Sequence, residues 1–371
     1  MCRHIFISAG ILKESFMKIE EIDKNFKSGN SVNEVNSVYL SVKNAHFELY
    51  GFARKEKFLR IPQEVADRVN PGVASLGPHT AGGRVRFKTD SPYIAIRVEY
   101  PYITNFPHMP LTGTSGFDVY TFSDGEYAYV KTFNPTHESG NSFENIHKFG
   151  TSEMRDITIN FPLYNAVDEV YIGLDKGSSL ECGGKYIGSK PMVYYGSSIT
   201  QGGCASRPGN AYQAILSRRY NADFVNLGFS GSARGETEIA NYIASLEMSV
   251  FVYDYDHNAP TVEHLKNTHE SMFKTIRASH PDIPIIMMTR PFDNDTENVK
   301  ARKAVVFETY KNAVESGDKN VFFIDGEKMK DIMGGFSGTV DGCHPNDLGF
   351  ICMAKALEGI LDPLADKYLK D

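Results

Sequence analysis

From about Val38 the chain alternates apolar and polar residues with a period of two. The pattern runs through Val38-Tyr39-Leu40-Ser41-Val42, His46-Phe47-Glu48-Leu49-Tyr50, Arg84-Val85-Arg86-Phe87-Lys88 and Tyr93-Ile94-Ala95-Ile96-Arg97-Val98-Glu99-Tyr100. It resumes in Phe117-Asp118-Val119-Tyr120-Thr121-Phe122, Tyr127-Ala128-Tyr129-Val130-Lys131, Ile157-Thr158-Ile159-Asn160-Phe161 and Val170-Tyr171-Ile172-Gly173-Leu174. Turn clusters such as Gly82-Gly83, Asp90-Ser91-Pro92 and Ser123-Asp124-Gly125 separate the runs. Many short alternating strands without helical segments predict an antiparallel sandwich of jelly-roll type. It is expected over residues 36–176, after a polar arm at 1–35.

Residues 177–191, rich in Gly, Ser and Lys, read as a linker. The rhythm then changes to near-continuous apolar runs at 192–195, 223–228, 249–254, 283–289 and 320–325. Helical patterns alternate with them at 208–219, 234–246, 261–279, 296–315 and 345–368. Apolar strands separated by amphipathic helices specify a parallel sheet covered on both faces. Five such units predict a flavodoxin-like three-layer αβα domain over 192–371, with a five-stranded parallel sheet.

Length and charge narrow the function. The 371 residues suit two domains, and a net charge of −7 without a basic cluster argues against a nucleic-acid partner. Five cysteines without a CxxC pair read as a reduced protein. The apolar run ending at Leu12 is short and is followed at once by Lys13-Glu14, a weak imitation of a leader, and Met17 is an equally good start. A cytoplasmic location is expected, or a periplasmic or secreted one if the true start carries a leader. No stretch approaches membrane-spanning length. No cofactor is expected: the glycine-rich loops match neither GxGxxG nor the P-loop. Metal binding is disfavoured, since His264 and His269 are five apart and fall on different helix faces. The GxSxG signature also fails, because Thr200 occupies its last position.

The carboxyl ends of parallel strands share one rim, where ligands bind. Four segments bring unusual polar residues there: Gly196-Ser197-Ser198-Ile199-Thr200, Asn226-Leu227-Gly228-Phe229-Ser230-Gly231, Asp254-Tyr255-Asp256-His257-Asn258-Ala259-Pro260 and Asp341-Gly342-Cys343-His344-Pro345. A serine hydroxyl needs a base to take its proton, and His344 can supply one near neutral pH. Asp341, three residues earlier, can hold the second imidazole nitrogen. The backbone N–H groups of Ser198 and Gly231 and the amide of Asn258 are suitable donors to a developing oxyanion.

The order of these four blocks resembles the SGNH (GDSL-like) hydrolase superfamily over about residues 191–365. The resemblance implies Ser198 as nucleophile, Gly231 and Asn258 as oxyanion-hole residues, and Asp341 and His344 as the rest of a triad. The β-rich domain is similar to the jelly-roll that precedes the hydrolase domain in some carbohydrate acetyl esterases. A serine esterase acting on small O-acetyl esters of carbohydrate is therefore expected, the partner being a small-molecule or carbohydrate ester. Alternatives are an acylhydrolase for lipid or phospholipid acetyl esters and an inactive carbohydrate-binding protein. Two departures stand out: Ser197 replaces the family's usual Asp before the nucleophile, and Asp256-His257-Asn258-Ala259 replaces the common Gly-x-Asn-Asp.

Plainer roles compete at each position. Ser198 and Asn258 can be turn residues, Asp341 can cap the last helix, and Gly231 can serve a positive φ. Arg207, Arg234 and Arg290 lie on or near the rim, where pairing with carboxylates such as Glu236 or Asp293 is expected over substrate binding. Cys204 and Cys343, both near triad positions, are expected as inert thiols, with a disulfide or a redox-sensitive contact as the alternative.

Overall fold

The computed structural model describes residues 37–292, 296–332 and 335–370. The expected arm, the leader question and Asp293 fall outside these residues. Ten strands form the first half: β1 (Ser37–Ser41), β2 (Glu48–Tyr50), β3 (Arg84–Thr89), β4 (Tyr93–Glu99), β5 (Phe117–Ser123), β6 (Glu126–Phe133), β7 (Ser142–Lys148), β8 (Arg155–Asn160), β9 (Glu169–Asp175) and β10 (Leu180–Cys182). They pair antiparallel in two sheets, ordered β1-β9-β4-β7 and β10-β3-β8-β5-β6, with β2 added on β3. Phe87, Ile96, Phe117, Phe143, Ile159 and Ile172 fill the space between them. This is the jelly-roll-like sandwich that the alternation specifies.

Three features of this half depart from the sequence reading. Strand β7 escaped it because Asn145, buried beside Phe143 on the inner side, breaks the apolar period. The region read as a linker contributes β10, whose Leu180–Cys182 pair with Thr89, Lys88 and Phe87. The half is also not free of helices: α1 (Gln63–Val69), α2 (Pro71–Leu76) and α3 (Leu111–Thr114) interrupt it. Helix α2 starts where a side chain and a ring favour it: Asn70 accepts the Val73 N–H, and Pro71 sits at the first helical position.

The second half has strands β11 (Met192–Gly196), β12 (Phe224–Gly228), β13 (Val250–Asp254), β14 (Ile285–Met288) and β15 (Val321–Ile324). All pairs are parallel, in the order β12-β11-β13-β14-β15. Every residue of the interior strands β11, β13 and β14 is buried, whereas the edge strands are partly open. Helices α4 (Ser198–Gln201), α5 (Tyr212–Tyr220), α6 (Thr237–Ala244), α7 (Val262–Ser279), α8 (Glu297–Glu315) and α9 (Asp347–Leu361) connect and cover it. Along β11, Met192 and Tyr194 join the core under α5 and α9, while Val193 and Tyr195 join the core under α6, α7 and α8. This is the three-layer αβα arrangement, and its strand order reverses direction between β11 and β13, where open sheets bind ligands.

Both cores cross from one half of the chain into the other. Met109, Leu163 and Tyr164 belong to the first, and Ile61, Ala66 and Val73 to the second. Arg84 and Arg86 sit at outward positions of β3 yet are fully buried. The outer face of their sheet lies on the second half, where Arg84 Nη2 pairs with Asp223 and donates to the Phe224 carbonyl.

Candidate active site

Strand β11 ends at Gly196, where a Cβ atom would come within 1.7 Å of Asp254 Oδ1. Only a glycine lets the chain pass that carboxyl. Ser197 then caps α4, its Oγ accepting the Ile199 N–H at 3.2 Å. That capping role fits the hydroxyl standing where an Asp is usual. Ser198 is the first helical residue, and Gly202 closes α4 after four residues at φ +106°. The short helix leaves the Ser198 side chain at the rim, on the loop side of β11.

His344 meets it there. The Ser198 Oγ–His344 Nε2 distance is 2.9 Å, and His344 Nδ1 lies 2.8 Å from Asp341 Oδ2. Asp341 Oδ1 accepts the backbone N–H groups of Cys343 and His344 at 3.0 and 2.8 Å. Burial opposes ionisation of this carboxyl, but the hydrogen bonds from His344 and Cys343 outweigh it and hold the group down to about 2. Asp341 thus turns its own loop and holds the imidazole. The last helix is capped instead by Asn346, which accepts the N–H groups of Leu348 and Gly349.

The second rim loop is drawn tightly onto α4. A Cβ at Gly228 would lie 2.1 Å from Gln201 N. Phe229 donates its N–H to the Gly196 carbonyl at 2.8 Å, and Ser230 donates to Gln201 Oε1 at 3.0 Å. Gly231 follows at φ +65°, with open space where a side chain would stand. Among the described residues, the N–H groups of Ser198 and Gly231 meet no acceptor. Asn258 gives its N–H to the Tyr255 carbonyl at 2.9 Å, and its Nδ2 bonds the Phe229 carbonyl at 3.2 Å. Asn258 thus stands in a turn, and its amide is tied to the loop that carries Gly231.

Asp254, at the end of β13, is almost wholly buried. It accepts from Thr200 Oγ1 and, at 3.4 Å, from Ser197 N, while its Oδ2 has no partner among the described residues. Burial, followed by repulsion from Asp256, pushes this carboxyl up to about 8. A neutral Asp254 therefore sits directly beneath the Ser198 turn.

Several supports of the site carried no recognisable signal in the sequence. Arg60 is fully buried in the first half, and its guanidinium donates to the carbonyls of Leu76, His79, Asn226 and Gly228. It also lies 4.9 Å from the Phe229 ring centre. Tyr164 donates its hydroxyl to the Ser198 carbonyl at 3.1 Å. Gln201 Nε2 bonds the Leu163 carbonyl and His79 Nδ1, both at 3.2 Å. Ser230 fixes the orientation of that amide, so His79 accepts at Nδ1 and donates at Nε2 to the Tyr102 hydroxyl. Burial, with Arg60 adding to it, pulls the His79 imidazole down to about 3 and keeps it neutral.

The rim arginines divide. Arg207 Nη1 bonds Asp118 Oδ2 of β5 at 3.0 Å, across the contact between the halves. Glu236 takes the Asn70 amide at 2.6 Å. Arg290 donates to Cys343 Sγ at 3.8 Å. Among the described residues, neither Cys204 nor Cys343 forms a disulfide, and burial, then the charges of Asp341 and Cys343, push the Cys204 thiol up to about 12. Among the described residues, no helix is long and apolar enough to cross a membrane.

Two family models match the chain. The GDSL-like Lipase/Acylhydrolase family matches residues 189–362, and the N-terminus of SGNH-hydrolase-type esterases matches residues 37–180. The chain belongs to the SGNH (GDSL-like) hydrolases, with the N-terminal β domain of one of their esterase types. A candidate GDSL-like lipase from Bacteroides ovatus ATCC 8483 is 29% identical, with a TM-score of 0.81 over 91% of this chain and 100% of that one. A salicylyl-acyltransferase from a tetracycline biosynthetic pathway is 21% identical, with a TM-score of 0.72 over 90% and 99%. A family two carbohydrate esterase from Clostridium thermocellum, in complex with cellohexaose, is 15% identical, with a TM-score of 0.57 over 77% and 93%. The last two speak for the fold alone. No curated protein matches the chain.

Proposed function

We propose that this SGNH hydrolase is a serine esterase that removes small acyl groups, O-acetyl groups on carbohydrate above all, through an acyl-Ser198 intermediate. The observation that carries the reading is the unbroken chain from Asp341 to His344 to Ser198, at 2.8 and 2.9 Å. His344 Nε2 takes the Ser198 proton as Oγ attacks the ester carbon, and Asp341 fixes the tautomer and stabilises the imidazolium. The oxyanion then receives hydrogen bonds from Ser198 N–H, Gly231 N–H and Asn258 Nδ2. One such donor is worth about 3–4 kcal/mol. His344 returns the proton to the leaving alcohol, and water releases the acyl group by the same two transfers in reverse.

The carbohydrate part of the reading is supported by the fold shared with a carbohydrate esterase that binds cellohexaose. Hydrolysis of p-nitrophenyl acetate, lost in Ser198→Ala, tests the chemistry. Acetate release from acetylated xylan and mannan, set against an acetylated phospholipid, tests the substrate class. Activity surviving Ser198→Ala overturns the nucleophile, and preference for the phospholipid overturns the carbohydrate assignment.

A further inference from the structure

We propose that the turn Phe106-Pro107-His108, supplied by the first half of the chain, is the wall of the site that holds the alcohol part of the ester, and that it suits a ring bearing hydroxyl groups. The inference rests on the esterase reading above and adds a specificity element to it.

The turn is built as a rigid projection. Phe106 and Met109 form an isolated bridge, with Met109 N donating to the Phe106 carbonyl at 3.4 Å. Met109 is buried in the core shared with Cys204 and Ala205, just beyond α4. The Phe106 ring packs edge-on against Tyr164, 5.5 Å between centres, and Tyr164 in turn holds the Ser198 carbonyl. Thr112 ties the following residues to the Ser206 carbonyl at 2.6 Å. The turn is thereby fixed to the same short helix that carries Ser198.

At its tip His108 is exposed and lies flat on Phe106, with ring centres 5.8 Å apart and planes 28° from parallel. Its ring also stands beside the imidazole of His344, 6.0 Å between centres. Among the described residues, neither His108 ring nitrogen has a hydrogen-bond partner. An exposed histidine with free donor and acceptor positions, held beside the base of a triad, is placed to meet substrate.

The side of the substrate it meets follows from the chemistry. His344 must deliver its proton to the oxygen of the departing alcohol, so that alcohol passes alongside the imidazole. Groups flanking His344 therefore flank the alcohol, whereas Gly231 and Asn258 face the acyl oxygen. His108, backed by Phe106, offers one exposed flat ring face with polar nitrogens at its edge. A sugar ring, with a face of C–H groups and a rim of hydroxyls, uses both; a flexible aliphatic alcohol uses only the first.

The test compares esters that differ in one part at a time. The probes are an acetylated xylo-oligosaccharide, triacetin, and the acetate and butyrate of p-nitrophenol, assayed with wild type, His108→Ala and His108→Gln. His108→Ala is expected to lower kcat/KM for the xylo-oligosaccharide about tenfold, as for the loss of one hydrogen bond to substrate, and for triacetin less than twofold. The acetate-to-butyrate ratio is expected to stay as in wild type, His108→Gln to recover part of the loss, and all three proteins to melt together because His108 is exposed. An equal fall on every ester, a changed acyl ratio, or no change at all overturns the alcohol wall. A wild type that cleaves p-nitrophenyl acetate but not the sugar ester overturns the choice of a sugar ring. A wild type no more active than Ser198→Ala overturns the esterase reading beneath it.

Discussion

The rim of the parallel sheet and the first-half segments behind it are held together by different kinds of contact. On the rim, side chain meets side chain: Ser198 with His344, His344 with Asp341, Thr200 with Asp254. Behind it, besides side-chain pairs such as Arg84–Asp223, Arg207–Asp118 and Asn70–Glu236, side chains of the first half reach the backbone carbonyls of the second: Arg60 to Asn226 and Gly228, Tyr164 to Ser198, Asn70 to Ser232, Thr112 to Ser206. A reacting pair needs a specific residue at both ends. A carbonyl is offered by every residue, so a donor aimed at one leaves a mark at one end only. The first kind of contact can be recognised as a motif, and the second cannot.

The largest expected effect tests the rim alone. Asp341→Asn keeps the loop's size but gives the wrong hydrogen-bond partner for His344 Nδ1, and kcat is expected to fall by about 10⁴-fold, far more than the modest loss of stability that goes with the missing charge can explain. The Asp341 carboxyl, held at about 2, stays ionised throughout any ordinary assay range. Its stabilising contribution is present above the usual carboxylate value and is lost only as pH falls through about 2. A variant retaining most of its activity would break the claim that the rim contacts are the chemical ones.

Next comes the backing. Arg60→Ala strips donors from four carbonyls in a fully buried place, and a loss of about 3–5 kcal/mol is expected in urea unfolding. Because two of those carbonyls belong to Asn226 and Gly228, activity is expected to fall as well, with KM and kcat both affected. A loss below about 1 kcal/mol would show that the second half holds its rim unaided.

A third experiment sharpens the comparison at Asp254, a rim residue whose role is structural. Its carboxyl ionises at about 8 in the folded protein and near 3.8 in the unfolded chain, so the unfolded state binds fewer protons between those values. Stability from this group is therefore expected to decline as pH rises from about 4 to about 8 and to level off above. Asp254→Asn, neutral at every pH, is expected to remove that decline when unfolding is measured at pH 5 and pH 8. The smallest effect belongs to Tyr164→Phe, which loses one hydrogen bond to Ser198, about 1 kcal/mol of stability and a few-fold in kcat.

The sandwich and the three-layer domain were both legible, because alternation in β5 and β8 and apolar runs in β11 and β13 repeat over several elements. Strand β7 was lost to one buried asparagine, and α1 and α2 to the expectation of a region made only of strands. The alternation at Arg84-Val85-Arg86-Phe87 points the arginines outward correctly, yet they are buried because another domain lies on that face. At the site, the meeting of Ser198, His344 and Asp341 could be expected from residue type and order.

By itself the sequence determined two folding patterns and the chemical types able to react, since periodicity and motif spacing are local properties of the chain. The tertiary structure alone decided which carbonyls Arg60 would satisfy, that Asp254 would be neutral, and that His108 would stand beside His344 from 236 residues away. Those outcomes depend on which surfaces bury each other, and burial is a property of the packed molecule rather than of any stretch within it.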